Sequence, residues 1–277
     1  MNAKVLGRYK IAVEVIMVMV SFFVIMVPLL IMIFGSFKNP LEVTAFNLAL
    51  PERWLWQNFV EVIQRGNLAR AFFNGMFIAV TSTALTIGLG SMATYVIARR
   101  GTRFTTFLFY FFFAGTFIPM QFIPTIRIFV LLGIYGGYLN AILIYCALNI
   151  SFACFLFTGF IKGIPRALDE AAFIEGASII KTYFLVIFPL LKPVSMTVLV
   201  LVFMNIWNDI NIPLYFLTNP ARWTMPLAVY QFFGMFSASH WNLVFANLTL
   251  TALPVVLLFL CAQNFIITGL TEGSIKG

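Results

Sequence analysis

The sequence predicts an all-α membrane protein: one transmembrane domain over residues 1–277, six spanning helices, and both termini in the cytoplasm. Three observations lead there. Hydrophobic residues make up 62% of the chain and charged residues only 9%, with a mean hydropathy of +1.00. So little polar cover cannot enclose that much apolar surface in water, so the solvent is lipid. Apolar windows near the ~20 residues a spanning helix needs occur at about 12–34, 72–97, 105–132, 138–160, 183–207 and 245–267. With the N-terminus inside, eleven of the 17 Lys and Arg fall on inner segments and six on outer ones, the asymmetry expected of cytoplasmic loops.

In chain order, the start "MNAKVLGRYK" leads into an apolar run reaching about Gly35. That is longer than the ~7–15 residues of a signal-peptide core, so it reads as an uncleaved first span. The outer segment from Gly35 to Arg70 contains Pro51, Trp54, Trp56 and Phe59, an interfacial aromatic patch at headgroup level. The second window ends in the basic pair Arg99 and Arg100. The third is interrupted by Pro119, Gln121, Pro124 and Arg127, and prolines inside a span are tolerated only where neighbours or a cavity satisfy the freed carbonyls. The fourth and fifth windows flank an inner loop at about 162–182, and the sixth precedes a polar, Gly-rich tail.

Several chemistries are excluded. The basic residues lie in small groups between apolar stretches rather than along a stripe with aromatics, so no nucleic-acid partner is expected. His240 is the sole histidine, and Cys146, Cys154 and Cys261 sit inside apolar stretches as small buried hydrophobes, which leaves no metal site and no cofactor. Neither a G-x-x-x-x-G-K-[ST] phosphate loop nor a G-x-S-x-G elbow occurs, so neither ATP hydrolysis nor acyl transfer is expected of this chain and no catalytic residue is assigned. Glu14, Asp209 and Arg127 lie near the ends of their spans, which argues against an ion-coupled pathway through mid-membrane charges.

The inner loop carries the densest signal. "LDEAAFIEGAS", Leu168 to Ser178, holds Asp169, Glu170 and Glu175, three of the chain's 9 acids. Pro165 can occupy the first turn of a helix there, with Asp169 and Glu170 near its positive end. Leu168, Ala171 and Ala172 give it a smooth face, and Gly176 ends or bends it.

This loop resembles that of the membrane permeases of bacterial ATP-binding cassette importers that work with substrate-binding proteins. Their pattern is E-A-A-x3-G-x9-I-x-L-P. Here Glu170-Ala171-Ala172, Gly176 and Val186-Ile187-Phe188-Pro189 match both spacings, with Val186 and Phe188 as apolar departures. "SFKNPLEV", "ATYVIARRG", "NIWNDINIPLYFL" and "GLTEGSIKG" look like the carbohydrate-importing branch, similar to the smaller subunit of maltose-type permeases.

The resemblance implies the type I importer permease fold in the bacterial cytoplasmic (inner) membrane. It implies as partners a second permease forming a heterodimer, two cytoplasmic ATPases, an extracytoplasmic sugar-binding protein and the lipid bilayer. Asp169, Glu170, Ala171, Ala172 and Gly176 would couple the chain to an ATPase, and Glu272, Gly273 and Lys276 in the tail are second-rank docking residues. For the substrate pathway, amides and aromatic faces suit a sugar. Asn205, Trp207, Asn208, Asp209 and Asn211 at the outer end of the fifth window supply them, with Gln121 and Asn149 in the third and fourth. Interhelical hydrogen bonds within the bundle are the alternative use of each. At the level of function, a stand-alone secondary transporter or channel for a small polar solute is the alternative to an oligosaccharide importer permease.

Overall fold

A computed structural model describes residues 13–233 and 240–274, with side chains described through Gln263. Every element among these residues is helical. Besides four short turns of helix, they are in order α1 (Val13–Gly35), α2 (Gln57–Arg65), α3 (Leu68–Arg100), α4 (Arg103–Gly115), α5 (Phe122–Leu131), α6 (Tyr138–Gly163), α7 (Ala167–Ile174), α8 (Ile179–Leu190), α9 (Lys192–Asn208), α10 (Asn211–Phe216) and α11 (Trp241–Ser274). Four of them are long and apolar enough to cross a membrane: α1, α3, α6 and α11 through Gln263.

The fifth window is a bent pair, α8 and α9, which meet at 75°. Pro189 and Pro193 flank the bend, and each lacks the N–H that a continuous helix would use. Pro193 sits in the first turn of α9, where that N–H has no partner anyway. The third window differs more from expectation. It forms two short helices, α4 and α5, separated by six residues that include Pro119. α4 starts with a reciprocal capping pair: Thr105 N donates to Thr102 Oγ1 at 3.2 Å, and Thr102 N to Thr105 Oγ1 at 2.9 Å. It ends at Gly115, where a side chain would collide with Ser151 of α6.

The chain divides into two compact units. The first comprises Met1–Ala69 with Ala228–Leu253. At its centre Phe37 is ringed by Trp54, Trp56 and Phe59, with centroids 4.8–5.0 Å away. The predicted aromatic patch is thus partly a local core, although both tryptophans stay exposed. Asn58 ties the unit together: its Nδ2 donates to the carbonyls of Ser36 and Lys38, both at 2.9 Å, and its Oδ1 accepts from Asn242 Nδ2 at 3.0 Å. The Lys38 ammonium is turned inward and donates to Asn47 Oδ1 at 2.9 Å.

The second unit comprises Arg70–Leu227 with Pro254–Gly277. Its helices carry hydroxyls in apolar surroundings by returning them to their own backbone: Thr86 to Ser82 O, Thr94 to Gly90 O and Thr158 to Cys154 O, at 2.6–2.7 Å. Cys146 and Cys154 are buried as expected, whereas Cys261 is exposed. It lines an apolar groove with Phe72, Phe203 and Leu257, surroundings that suit a thiol as a small hydrophobe without enclosing it.

Candidate functional site

Two features of the second unit bring the predicted site residues together: the loop around α7 and a polar cavity near the end of α9.

The chain leaves α6 at Gly163 and turns through Pro165, which lies just before the helix rather than in its first turn; the N-cap is Arg166. Asp169 and Glu170 occupy the first turn of α7, where the helix dipole favours carboxylates. The far end closes with a full Schellman arrangement: Ala177 N donates to Ala172 O at 2.9 Å and Gly176 N to Phe173 O at 3.0 Å. This requires Gly176 at φ +82°, a conformation a Cβ would penalise. Ser178 then caps α8 by accepting from Lys181 N.

The five loop residues do not share one face. Asp169 and Ala172 are buried, at 6% and 8% exposure, while Glu170, Ala171 and Gly176 are open. Asp169 is an internal anchor. Its Oδ2 pairs with Arg99 Nη2 at 2.8 Å, and its Oδ1 accepts from the Tyr95 hydroxyl at 2.7 Å. Arg99 also donates to Ile164 O at 3.0 Å. The exposed face combines Glu170 with Phe173 and Ile174, the latter 87% exposed. Beside it a cavity of about 270 Å³ is lined by α3 and the loop, including Arg100, Arg166, Glu170, Phe173 and Ile179.

The second feature is an open cavity of about 630 Å³ lined by Asn205, Asn208, Asp209, Asn211, Tyr145 and Phe122, among others. α9 stops at Asn208 because Asp209 turns extended, and the Asp209 side chain caps the first turn of α10. Its Oδ1 accepts from Asn211 N, and its Oδ2 from Ile212 N, both at 3.0 Å, and from the Tyr145 hydroxyl at 2.9 Å. Asn208 Nδ2 donates back to Met204 O at 2.9 Å. The side-chain amides of Asn205 and Asn211 make no hydrogen bond among the described residues and stay exposed on the wall.

Of the seven predicted pathway residues, the cavity therefore gathers Asn205, Asn208, Asp209 and Asn211. It does not gather the other three. Trp207 is 2% exposed and stacks on Phe203 at 5.8 Å. Asn149 is buried and donates to Tyr145 O at 2.8 Å, one turn back along its own helix, a packing role rather than a wall position. Gln121 is exposed at the break between α4 and α5 and is not part of this cavity's wall. Glu272 and Gly273 lie in the last turn of α11, with side chains outside the described set, and Lys276 is outside the described residues. Sequence reasoning missed Tyr145, Tyr95 and Arg99. The first two carry no charge to mark them, and Arg99 reads as one more topology signal.

This architecture is shared with known proteins. The family model described as "Binding-protein-dependent transport system inner membrane component" matches residues 86–272. The melibiose/raffinose/stachyose import permease protein MelC of Bacillus subtilis is 36% identical over 225 residues, covering 80% of this chain and 81% of that protein. The multiple sugar-binding transport system permease protein MsmG of Streptococcus mutans is 31% identical and covers 91% of this chain and 92% of its own length. A crystal structure of a bacterial ABC transporter involved in the import of the acidic polysaccharide alginate superposes with a TM-score of 0.79 at 16% identity, covering 94% of this chain and 96% of that one. At that identity the likeness establishes the fold alone: that of an importer permease. The chain is accordingly a multi-pass membrane transport component and not an enzyme, and it belongs to the family of binding-protein-dependent transport system inner membrane components.

Proposed function

We propose that this chain is one of two permease subunits of an ATP-driven sugar importer of the bacterial cytoplasmic membrane, with an oligosaccharide as cargo. On this reading it crosses the membrane six times as one transmembrane domain, with both termini and the 162–182 loop inside. The third crossing is made by α4 and α5 together and the fifth by α8 and α9. The N-terminal helix α1 is apolar and uncovered along most of its length, a surface for lipid and a second permease. Partners are that second permease, two ATPases and an external sugar-binding protein.

The observation that carries the reading is the combination at α7. A helix matching the E-A-A-x3-G pattern is locked to its own chain on one side and presents Glu170, Ala171 and two apolar side chains on the other. Ala171 permits close approach of a groove, Glu170 offers a carboxylate to a basic partner, and Gly176 sets the angle to α8. When nucleotide draws the ATPases together, such a handle moves the spans as a rigid body and alternates access. The cavity at α9 supplies the sugar-facing chemistry: the amides of Asn205 and Asn211 have no competing partner, and the Phe122 ring and Tyr145 lie on the same wall. Its 630 Å³ falls within the ~300–1,000 Å³ of small-molecule sites.

The test is uptake of labelled oligosaccharide by cells carrying Glu170→Ala or Gly176→Pro, together with gentle solubilisation of the tagged chain to identify what accompanies it. Loss of uptake and a co-purifying ATPase are expected. Undiminished uptake in both variants with no ATPase attached would instead establish a stand-alone transporter or channel for a small polar solute.

A further inference from the structure

The coupling loop meets α3 along a single stripe. Ser91, Tyr95 and Arg99 are spaced by four, which puts them on one face of the helix. Each grips a different part of the loop region. Arg99 holds the end of α6 through Ile164 O at 3.0 Å and α7 through Asp169 at 2.8 Å. Tyr95 holds α7 through Asp169 at 2.7 Å. Ser91 holds the start of the next span through the Tyr183 hydroxyl at 2.6 Å, and the Tyr95 and Tyr183 rings lie 5.6 Å apart.

We propose that Ser91, Tyr95 and Arg99 form a clamp that makes the coupling loop and the last third of α3 one rigid body, so that displacement of α7 is delivered to α3. The argument is mechanical. A helix joined to its neighbours only by the turns at Pro165 and Gly176 would rock about those turns when pulled, and the pull would dissipate there. Both carboxylate oxygens of Asp169 are engaged by different residues of α3, which fixes the orientation of α7 as well as its position. The contacts are largely buried: Asp169 is 6% exposed, Tyr95, Ser91 and Tyr183 are in the core, and the Arg99 side chain keeps only 14% of its surface. A buried ion pair resists opening because separation leaves uncompensated charge. Ser91 is sealed in the core, and although Tyr95 and Arg99 border the same cavity as Glu170, their polar groups are turned onto Asp169 and Ile164 O, so they act through the loop and not by touching an ATPase. They are positioning residues.

The inference rests on the coupling role of α7 proposed above, and the experiment separates the two. The chain is co-expressed with its partner subunits, reconstituted in proteoliposomes, and sugar transported per ATP hydrolysed is measured for Tyr95→Phe, Asp169→Asn and the swap of Arg99→Asp with Asp169→Arg. Tyr95→Phe keeps the ring contact with Tyr183 and loses only the hydroxyl, which preserves the fold. ATPase should co-purify with each variant at the wild-type ratio. The transport yield per ATP should fall by about three- to tenfold in Asp169→Asn and less in Tyr95→Phe, with partial recovery in the swap. Spin labels at Ile174 and Met92, both exposed, should show a single narrow distance distribution that broadens in Asp169→Asn. An unchanged yield in both single variants overturns the clamp, as does loss of ATPase from Asp169→Asn, which would make Asp169 a docking residue. If no ATPase binds the wild-type chain, or Glu170→Ala is silent, it is the coupling role itself that fails.

Discussion

Replacing Asp209 distinguishes a cap from a sugar ligand. Its carboxylate accepts three hydrogen bonds, from Asn211 N, Ile212 N and the Tyr145 hydroxyl. Hydrogen bonds inside membrane proteins contribute about 0.6–1.7 kcal/mol each, so Asp209→Ala removes about 2–5 kcal/mol in principle. The two amide N–H groups sit at the cavity wall and can rehydrate, which brings the expected loss to about 2–3 kcal/mol. At roughly 2–4 °C per kcal/mol for a chain of this size, the unfolding midpoint of the detergent-solubilised protein should fall by roughly 5–10 °C. Tyr145→Phe deletes only one of the three bonds and should cost roughly 2–5 °C on the same scale. Because the phenol's partner is already gone in Asp209→Ala, the double variant should unfold with the Asp209→Ala single variant, not lower by the sum. Should Asp209→Ala unfold within about 2 °C of wild type while oligosaccharide uptake collapses, the capping account is refuted and the carboxylate acts on the cargo.

Three further outcomes are expected. Asn205→Ala and Asn211→Ala each remove an amide with no intramolecular partner, so the half-saturating sugar concentration for uptake should rise about two- to tenfold while the unfolding midpoint stays put. Gly176→Ala adds a methyl into open space but at φ +82°, so its cost is backbone strain of about 1–2 kcal/mol, read as faster hydrogen exchange at the Ala177 amide. Asn58→Ala strips the carbonyls of Ser36 and Lys38 and the Asn242 amide of their partner, a loss of about 2–4 kcal/mol that should show as proteolytic nicking between Gly35 and Arg70.

The membrane class, the long apolar helices α1, α3, α6 and α11, and the helix and stop of the 162–182 loop were all legible because each depends on residues close together in sequence. Apolar windows and prolines are local, and so is the requirement for Gly176. The departures have a different origin. A proline marks where a helix lacks a donor but not which way the chain continues, so Pro119 left open a kink, a break or a sharp bend, and the fifth window read as a single span. The structure has a six-residue break in the first case and a 75° turn in the second. Lys38 likewise reads as an outer-loop charge and turns out to be enclosed, its ammonium held by Asn47 nine residues on.

Site residues were legible as clusters and not as roles, and helical geometry explains why. Consecutive residues point about 100° apart around an α-helix, so neighbours in a motif look in different directions. Asp169 and Glu170 are adjacent acids in the same first turn, yet one is sealed against Arg99 and Tyr95 and the other is open. Trp207 and Asn208 divide the same way between core and cavity. The partners that settle each direction come from far along the chain: Asp169 answers to residues 70 and 74 positions earlier, and Asp209 to Tyr145, 64 positions earlier. Conservative exchanges should therefore behave unequally. Asp169→Glu shifts the carboxylate off its two fixed partners, Tyr95 and Arg99, and should impair coupling, whereas Glu170→Asp, on the open face, shortens a reach that a mobile partner side chain can make up. An equal loss of uptake in the two would mean that both acids face the same partner, contrary to the division of α7 into an anchored side and a free one.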